Sequence, residues 1–217
     1  MTSSEITASL VALLSAYVAG ATPFGYIVGR MRGIDIREHG SGNIGATNVF
    51  RVLGKRVGIP VFILDMLKGL VPVMVARWVA ERQGIAPDWP SIAAAVGAVL
   101  GHNFTFWLGF KGGKGIATSA GVLLALLPLP LAAALLCWLV LFFTTRFVAV
   151  ASIGAAVTVP SAAAVLHFWK GNPALPLVGF AVLIGVLAVW RHRSNIRRLL
   201  NGTENRFAKK ERAVSHE

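Results

Sequence analysis

Acidic side chains are scarce in this sequence. Its 217 residues hold 9 Asp and Glu against 21 Lys and Arg, and charged residues make up only 14% of the chain. A water-soluble domain carries about 25%, so an ordinary soluble fold is excluded. Cysteine is nearly missing as well. Cys137 is the single one, which excludes an intramolecular disulfide and leaves the redox compartment unread. It lies in an apolar run, where a cysteine is inert packing. His39, His102 and His192 are scattered and no HExxH or Cys/His spacing occurs, so no metal is expected. No internal repeat and no low-complexity tract interrupts the chain. The opening residues Met1 to Glu5 lack Lys and Arg. A cleaved leader begins with a basic segment, so residues 6–29 read as a retained first span.

Apolar residues fill the space left by the missing charge. They make up 55% of the chain, and mean hydropathy is +0.68. A bilayer crossing needs about 20 consecutive apolar residues. Segments 6–29, 59–80, 91–109, 116–128, 130–145, 147–167 and 174–190 are the candidates. The expected fold is all-α: a polytopic integral membrane protein of seven transmembrane helices, with one domain over 1–204 and a basic cytoplasmic tail over 205–217. Pro23 and Gly25 are expected to kink the first span, with a neighbouring helix satisfying the freed carbonyl. Pro128 and Pro130 are expected to split 116–145 into two short helices. With seven spans, 17 of the 21 basic residues fall on one side and three on the other, with Lys68 inside a span. That asymmetry puts the N-terminus outside and the C-terminus in the cytoplasm. A six-span chain would separate the last basic segment from the first two. The net charge of +12 reads as basic loops facing anionic headgroups, and no nucleic-acid partner is expected.

Three polar segments interrupt the apolar runs: Gly40 to Arg51, Gly109 to Thr118 and Arg191 to Glu204. In the second, Gly112, Gly113 and Gly115 permit tight backbone turns whose N–H groups cradle anions. Lys111 and Lys114 add charge, and an apolar helix starts just after, so phosphate is the natural ligand. The spacing is not that of a Walker A loop. Read alone, the segment is also compatible with a glycine-rich connection carrying two topology-setting lysines. The first segment offers Ser41, Asn43, Thr47, Asn48 and Arg51. Arg51 grips phosphate bidentately, and no GxSxG elbow surrounds Ser41. A polar re-entrant loop is the alternative. The third places His192, Asn195 and Arg198 at i, i+3 spacing on one helix face. A basic stretch lying on headgroups is its alternative. Asp65 and Lys68 at i, i+3 inside a span read as an ion pair. His102 and Asn103 end the third span just before the glycine segment, where they either line a site or mark the membrane interface beside Trp107. A transporter for an organic phosphate anion is a rival built from the same kind of broken helices.

Together the segments GSGNIGATNVFR, GHNFTFWLGFKGGKGIATSAG and HRSNIRRLLNGTE resemble the motifs of the PlsY family, the acylphosphate:glycerol-3-phosphate acyltransferases. Ile44 and Thr105 stand where that family usually has proline. That family lacks the HxxxxD motif of the other acyltransferases, and no HxxxxD occurs here. The resemblance implies a multi-pass protein of the bacterial cytoplasmic (inner) membrane with its site facing the cytoplasm. It implies transfer of a fatty acyl group from acyl phosphate to the 1-hydroxyl of sn-glycerol 3-phosphate, giving lysophosphatidic acid for phospholipid synthesis. No covalent acyl-enzyme and no cofactor are expected. His192, Asn195, Ser41 and Arg51 would be catalytic. Asn43, Thr47, Lys111, Gly112, Gly113, Lys114, Gly115, His102 and Asn103 would bind substrate. Glu204, Asp65 and Lys68 would support the structure. Implied partners are acyl phosphate, glycerol 3-phosphate, membrane lipids, the enzyme that forms the acyl phosphate and the acyltransferase that acts next.

Overall fold

A backbone in lipid must satisfy its own polar groups, which favours helices. The computed structural model describes residues 1–207, and among these no strand occurs. The helices are α1 (Ser3–Gly20), α2 (Phe24–Met31), α3 (Ala46–Leu53), α4 (Lys55–Arg82), α5 (Asp88–Asn103), α6 (Ile116–Leu126), α7 (Pro128–Thr145), α8 (Val148–Lys170), α9 (Leu175–Arg191) and α10 (Arg193–Leu200). Most of the expected tail, residues 208–217, lies outside the described residues.

Small residues hold the bundle together. Ala12, Ala16 and Gly20 of α1 are buried beside Ala94, Ala95 and Ala98 of α5. A Cβ on Gly97 would run into the backbone of Leu13. Gly69 and Gly121 bring α4 and α6 equally close. Large side chains such as Leu10, Leu14, Leu136 and Phe143 face outward instead. This inversion suits a lipid surround, where helices gain little by hiding leucine from the solvent and associate through close backbone approach.

Five stretches are long and apolar enough to cross a bilayer: Ser3–Met31, Lys55–Arg82, Asp88–Leu108, Pro128–Thr145 and Val148–Lys170. α9 and α10, bent by 51°, make a sixth if taken together. α6 has only 11 residues, roughly 16 Å, against a hydrocarbon core of about 30 Å. The expected break in 116–145 occurs at Leu127, with φ −140° and ψ 60°. Pro128 disfavours helical backbone at the residue before it and then begins α7, where its missing N–H costs nothing. α6 therefore ends short of the expected residue 128.

The break in the first span also follows its proline. Between α1 and α2 the exposed carbonyls find donors on other helices. Ala21 O accepts from Thr105 Oγ1 at 2.5 Å, and Thr22 O from Lys68 Nζ at 2.6 Å. Lys68 is also 2.9 Å from Asp65, both buried. The helix ends collect at two faces. Gly115, at the start of α6, lies against Asn103 at the end of α5, and Arg191 at the end of α9 bonds Gly113. At the other face the end of α6 (Leu126) shares a small cavity with Arg77, Asp88 and Leu177.

Candidate active site

The glycine loop folds back over the end of α5. Gly112 N–H donates to Asn103 O at 3.2 Å and Gly113 N–H to His102 O at 3.1 Å. Glycine is required at two positions in particular. A Cβ on Gly113 would occupy the place of the His102 ring, and Gly115 has φ +78° with the Asn103 side chain beside it. The loop's carbonyls are held from the other side by Arg191. Its Nη2 donates to Gly112 O at 2.8 Å and Gly113 O at 2.6 Å, and its Nε to Gly113 O at 3.1 Å. In a trans peptide the next N–H points opposite the carbonyl. Tethering Gly113 O to Arg191 thus turns the Lys114 N–H away from Arg191. The N–H groups of Lys114, Gly115, Ile116 and Ala117 have no acceptor among the described residues. They form a row of donors at the positive end of α6.

Lys114 extends from this row and is held down to about 8, chiefly by burial, with Arg198, Arg51 and Arg191 adding repulsion against the attraction of Glu204. Those neighbours belong to all three polar segments. Glu204 and Arg198 also act on Arg51, and Lys114, Glu204 and Arg191 on His192. The three segments therefore share one electrostatic environment at one end of the bundle.

His192 is buried between α9 and α10, with Nδ1 2.8 Å from Ala188 O. A carbonyl only accepts, so Nδ1 carries the hydrogen and Nε2 keeps its lone pair. Burial, reinforced by Lys114, pushes the imidazole down to about 4, so it is neutral at physiological pH. Asn195 Nδ2 donates to Glu204 Oε1 and Arg198 Nε to Glu204 Oε2, each at 2.7 Å. Both carboxylate oxygens are used in bracing α10. Asn195 Oδ1 is buried without a partner among the described residues.

In the first segment the buried Asn48 organises the loop. Its Oδ1 accepts from Ser41 N–H at 2.8 Å, and its Nδ2 donates to Ile36 O and His39 O. Asn43 Oδ1 likewise accepts from Gly45 N–H at 2.8 Å, a side-chain turn that starts α3. Thr47 is exposed, and Ser41 and Arg51 are half-buried. Arg51 makes no hydrogen bond among the described residues, and its guanidinium lies over the Phe207 ring at 5.4 Å.

Arg51, Lys114, His192, Asn195 and Glu204 are thus brought together. His102 and Asn103, expected to touch substrate, lie beneath the loop, 4% and 1% exposed. His102 is turned to Asp65, 3.7 Å away. The reason is steric: the loop lies directly on the end of α5. Lys111 is exposed and, among the described residues, bonds only through its backbone, to Leu108 O. The roles of Arg191, Asn48 and Phe207 are not readable from the sequence. Arg191 stands beside His192 but looks like one more topology-setting cation. An apolar cavity of about 70 Å³ opens next to the loop between α6, α7, α8 and α9, lined by Ile116, Leu123, Trp138, Val159 and Ala188 among others.

Comparison with known proteins gives a consistent result. A model of the glycerol-3-phosphate acyltransferase family matches residues 10–202. The chain is 46% identical to the glycerol-3-phosphate acyltransferase of Geobacter sulfurreducens over 91% of its own length and 97% of the relative's. It is 42% identical to that of Aquifex aeolicus, over 92% and 99%. Among solved structures it is similar to the crystal structure of PlsY, an integral membrane glycerol 3-phosphate acyltransferase, in its glycerol 3-phosphate form. There the TM-score is 0.82 at 40% identity, covering 92% of this chain and 96% of that one. The lysophosphatidic acid form gives 0.79 at the same identity.

Proposed function

The chain belongs to the glycerol-3-phosphate acyltransferase family, and from that membership we propose that it moves a fatty acyl group from acyl phosphate to the 1-hydroxyl of sn-glycerol 3-phosphate. One observation carries the proposal. Arg51, Lys114 and the His192–Asn195–Glu204 group share one environment near a row of N–H groups that have no acceptor among the described residues. Both reactants bring phosphate, and such a concentration of donors and cations suits two phosphate groups.

In this reading Ser41 and Arg51 hold glycerol 3-phosphate, with Asn43 and Thr47 shaping the mouth of the site. The Lys111–Gly115 loop holds the donor's phosphate, Lys111 adding field from the surface. The acyl chain passes the apolar cavity beside Ile116 and extends between α6, α7, α8 and α9 into the bilayer. Asn195 completes the site. Glu204, Asp65 and Lys68 brace it, and His102 and Asn103 support the loop from below. The hydroxyl oxygen attacks the acyl carbon, and the bond from that carbon to the phosphate oxygen breaks. Loop N–H groups stabilise the oxyanion, and Lys114 and Arg51 offset the charge of departing phosphate. His192 Nε2 accepts the hydroxyl hydrogen bond. A base held at about 4 is weaker than phosphate, whose second ionisation lies at about 6. The proton therefore ends on the phosphate, and no acyl-enzyme is needed.

The helix ends support seven crossings. α1 and α5 run side by side toward the loop, and α4 returns between them. α6 leaves the loop and ends beside Asp88 and Leu177, at the opposite face. α7 comes back, since Arg146 O accepts from Phe207 N–H at 3.0 Å. α8 leaves and α9 returns to Gly113. Basic-residue counting supports a site that faces the cytoplasm, and the family membership supports a bacterial inner membrane. Against a transporter, the polar groups gather at one end of the bundle and not at mid-depth.

The test is direct. Purified protein is incubated with palmitoyl phosphate and sn-glycerol 3-phosphate. Lysophosphatidic acid and inorganic phosphate are expected in equal amounts, and folded protein giving neither product rejects the reading.

A further inference from the structure

A guanidinium that must bind phosphate needs to be held without spending its N–H donors. Arg51 has no hydrogen-bonded carboxylate among the described residues; Glu204, whose charge acts on it, bonds Asn195 and Arg198. What lies against it is the face of Phe207, 5.4 Å from the guanidinium carbon. Contact with a ring face orients the cation and leaves its in-plane donors free. The ring is itself wedged between Phe50 of α3, at 6.0 Å, and Phe142 of α7, at 5.8 Å and nearly perpendicular.

The backbone fixes Phe207 as firmly as the side chains do. Its N–H donates to Arg146 O at 3.0 Å. The preceding Arg206 donates from Nε to Thr145 O at 3.2 Å and covers the Phe147 ring at 5.5 Å. Residues 205–207 thus lie along the α7–α8 turn and press back on α3. The family match ends at residue 202, so this strap lies beyond the segment that identifies the fold.

We infer that Phe207 is a positioning residue: it holds the Arg51 guanidinium in register for the phosphate of glycerol 3-phosphate. The inference rests on the reading of Arg51 given above. Without the ring, Arg51 samples more orientations and ground-state binding weakens, while the chemistry at the acyl carbon is left alone.

The experiment uses the full-length protein in detergent and compares Phe207→Ala, Phe207→Leu and Phe207→Tyr with wild type. KM for glycerol 3-phosphate, kcat and melting temperature are measured for each. Phe207→Ala and Phe207→Leu are expected to raise KM about 3- to 10-fold, the scale of one partly buried cation–π contact, with kcat within about twofold. Phe207→Tyr is expected to restore KM. If Phe207→Ala fails to fold, Phe207→Leu, which keeps most of the apolar volume, carries the test. In an Arg51→Ala background, Phe207→Leu is expected to add nothing. Phe207→Leu with wild-type KM overturns the inference, as does a full additional loss on top of Arg51→Ala. A wild-type protein that makes no lysophosphatidic acid sinks both this inference and the acyltransferase reading. An active wild type with an indifferent Phe207→Leu sinks this one alone.

Discussion

Arg191 illustrates how a single side chain sets the chemistry of a loop it does not belong to. Its three bonds to Gly112 and Gly113 carbonyls turn the Lys114 N–H away from Arg191. Hydrogen bonds to a charged group contribute about 1.5–3 kcal/mol, and about 1.4 kcal/mol is tenfold in an equilibrium. Arg191→Gln is therefore expected to lower kcat/KM by about 10- to 100-fold. Arg191→Lys should recover only part of this, since an ammonium cannot fork across two carbonyls. Steady-state kinetics on the purified variants checks both. Lys114 gives a pH prediction. Held down to about 8, it is cationic below that pH and neutral above it. KM for palmitoyl phosphate, whose phosphate the loop is proposed to hold, should rise as pH climbs through about 8. In Lys114→Arg, whose guanidinium stays charged to pH 12 and beyond, the rise should disappear from that range. Identical alkaline profiles for the two proteins would rule Lys114 out as the titrating group.

At the scale of elements, breaks in helices were easier to read than the use made of them. Pro23 and Pro128 each interrupt the backbone for reasons of local sterics, which act within one or two residues and are visible in the sequence. The partners that make a break tolerable are far away along the chain. Thr105, where the family usually has proline, lies 84 positions from the Ala21 carbonyl it bonds, and no local rule couples the two. The same holds for the site. Glycine, lysine and arginine at 109–115 and 191–204 are what the expectation of an anion site is read from. Yet only the folded chain turns His102 inward under the loop and spends Asn48 on loop shape. Thr105→Val keeps the shape of the side chain and removes the donor. A buried carbonyl left unpaired costs about 1–3 kcal/mol, so the variant should melt several degrees lower in detergent, with KM within about twofold of wild type. Unchanged melting would mean the carbonyl finds another donor.

For the whole molecule the deciding element is α6, whose 11 residues look too short to carry the chain across a membrane. Its ends nevertheless sit with opposite groups of helix termini: Gly115 beside Asn103, and Leu126 beside Asp88 and Leu177. Four helices separate the glycine loop from Arg191, and the two are hydrogen-bonded. A chain that leaves one face and returns to it makes an even number of crossings, and the seven-span reading proposed above counts α6 as one with α7, α8 and α9. A short helix can do this where the bilayer thins to meet it at a modest energetic cost. Cysteine labelling tests the parity in a Cys137→Ala background. Lys111→Cys and Thr144→Cys flank α6 and α7 and should react only with a membrane-permeant maleimide in intact cells. Gly84→Cys and Gly171→Cys should be blocked by an impermeant one added outside. Labelling of Lys111→Cys and Thr144→Cys from opposite sides would leave α6 short of a crossing. The third polar segment would then be cut off from the first two, and the shared site could not exist.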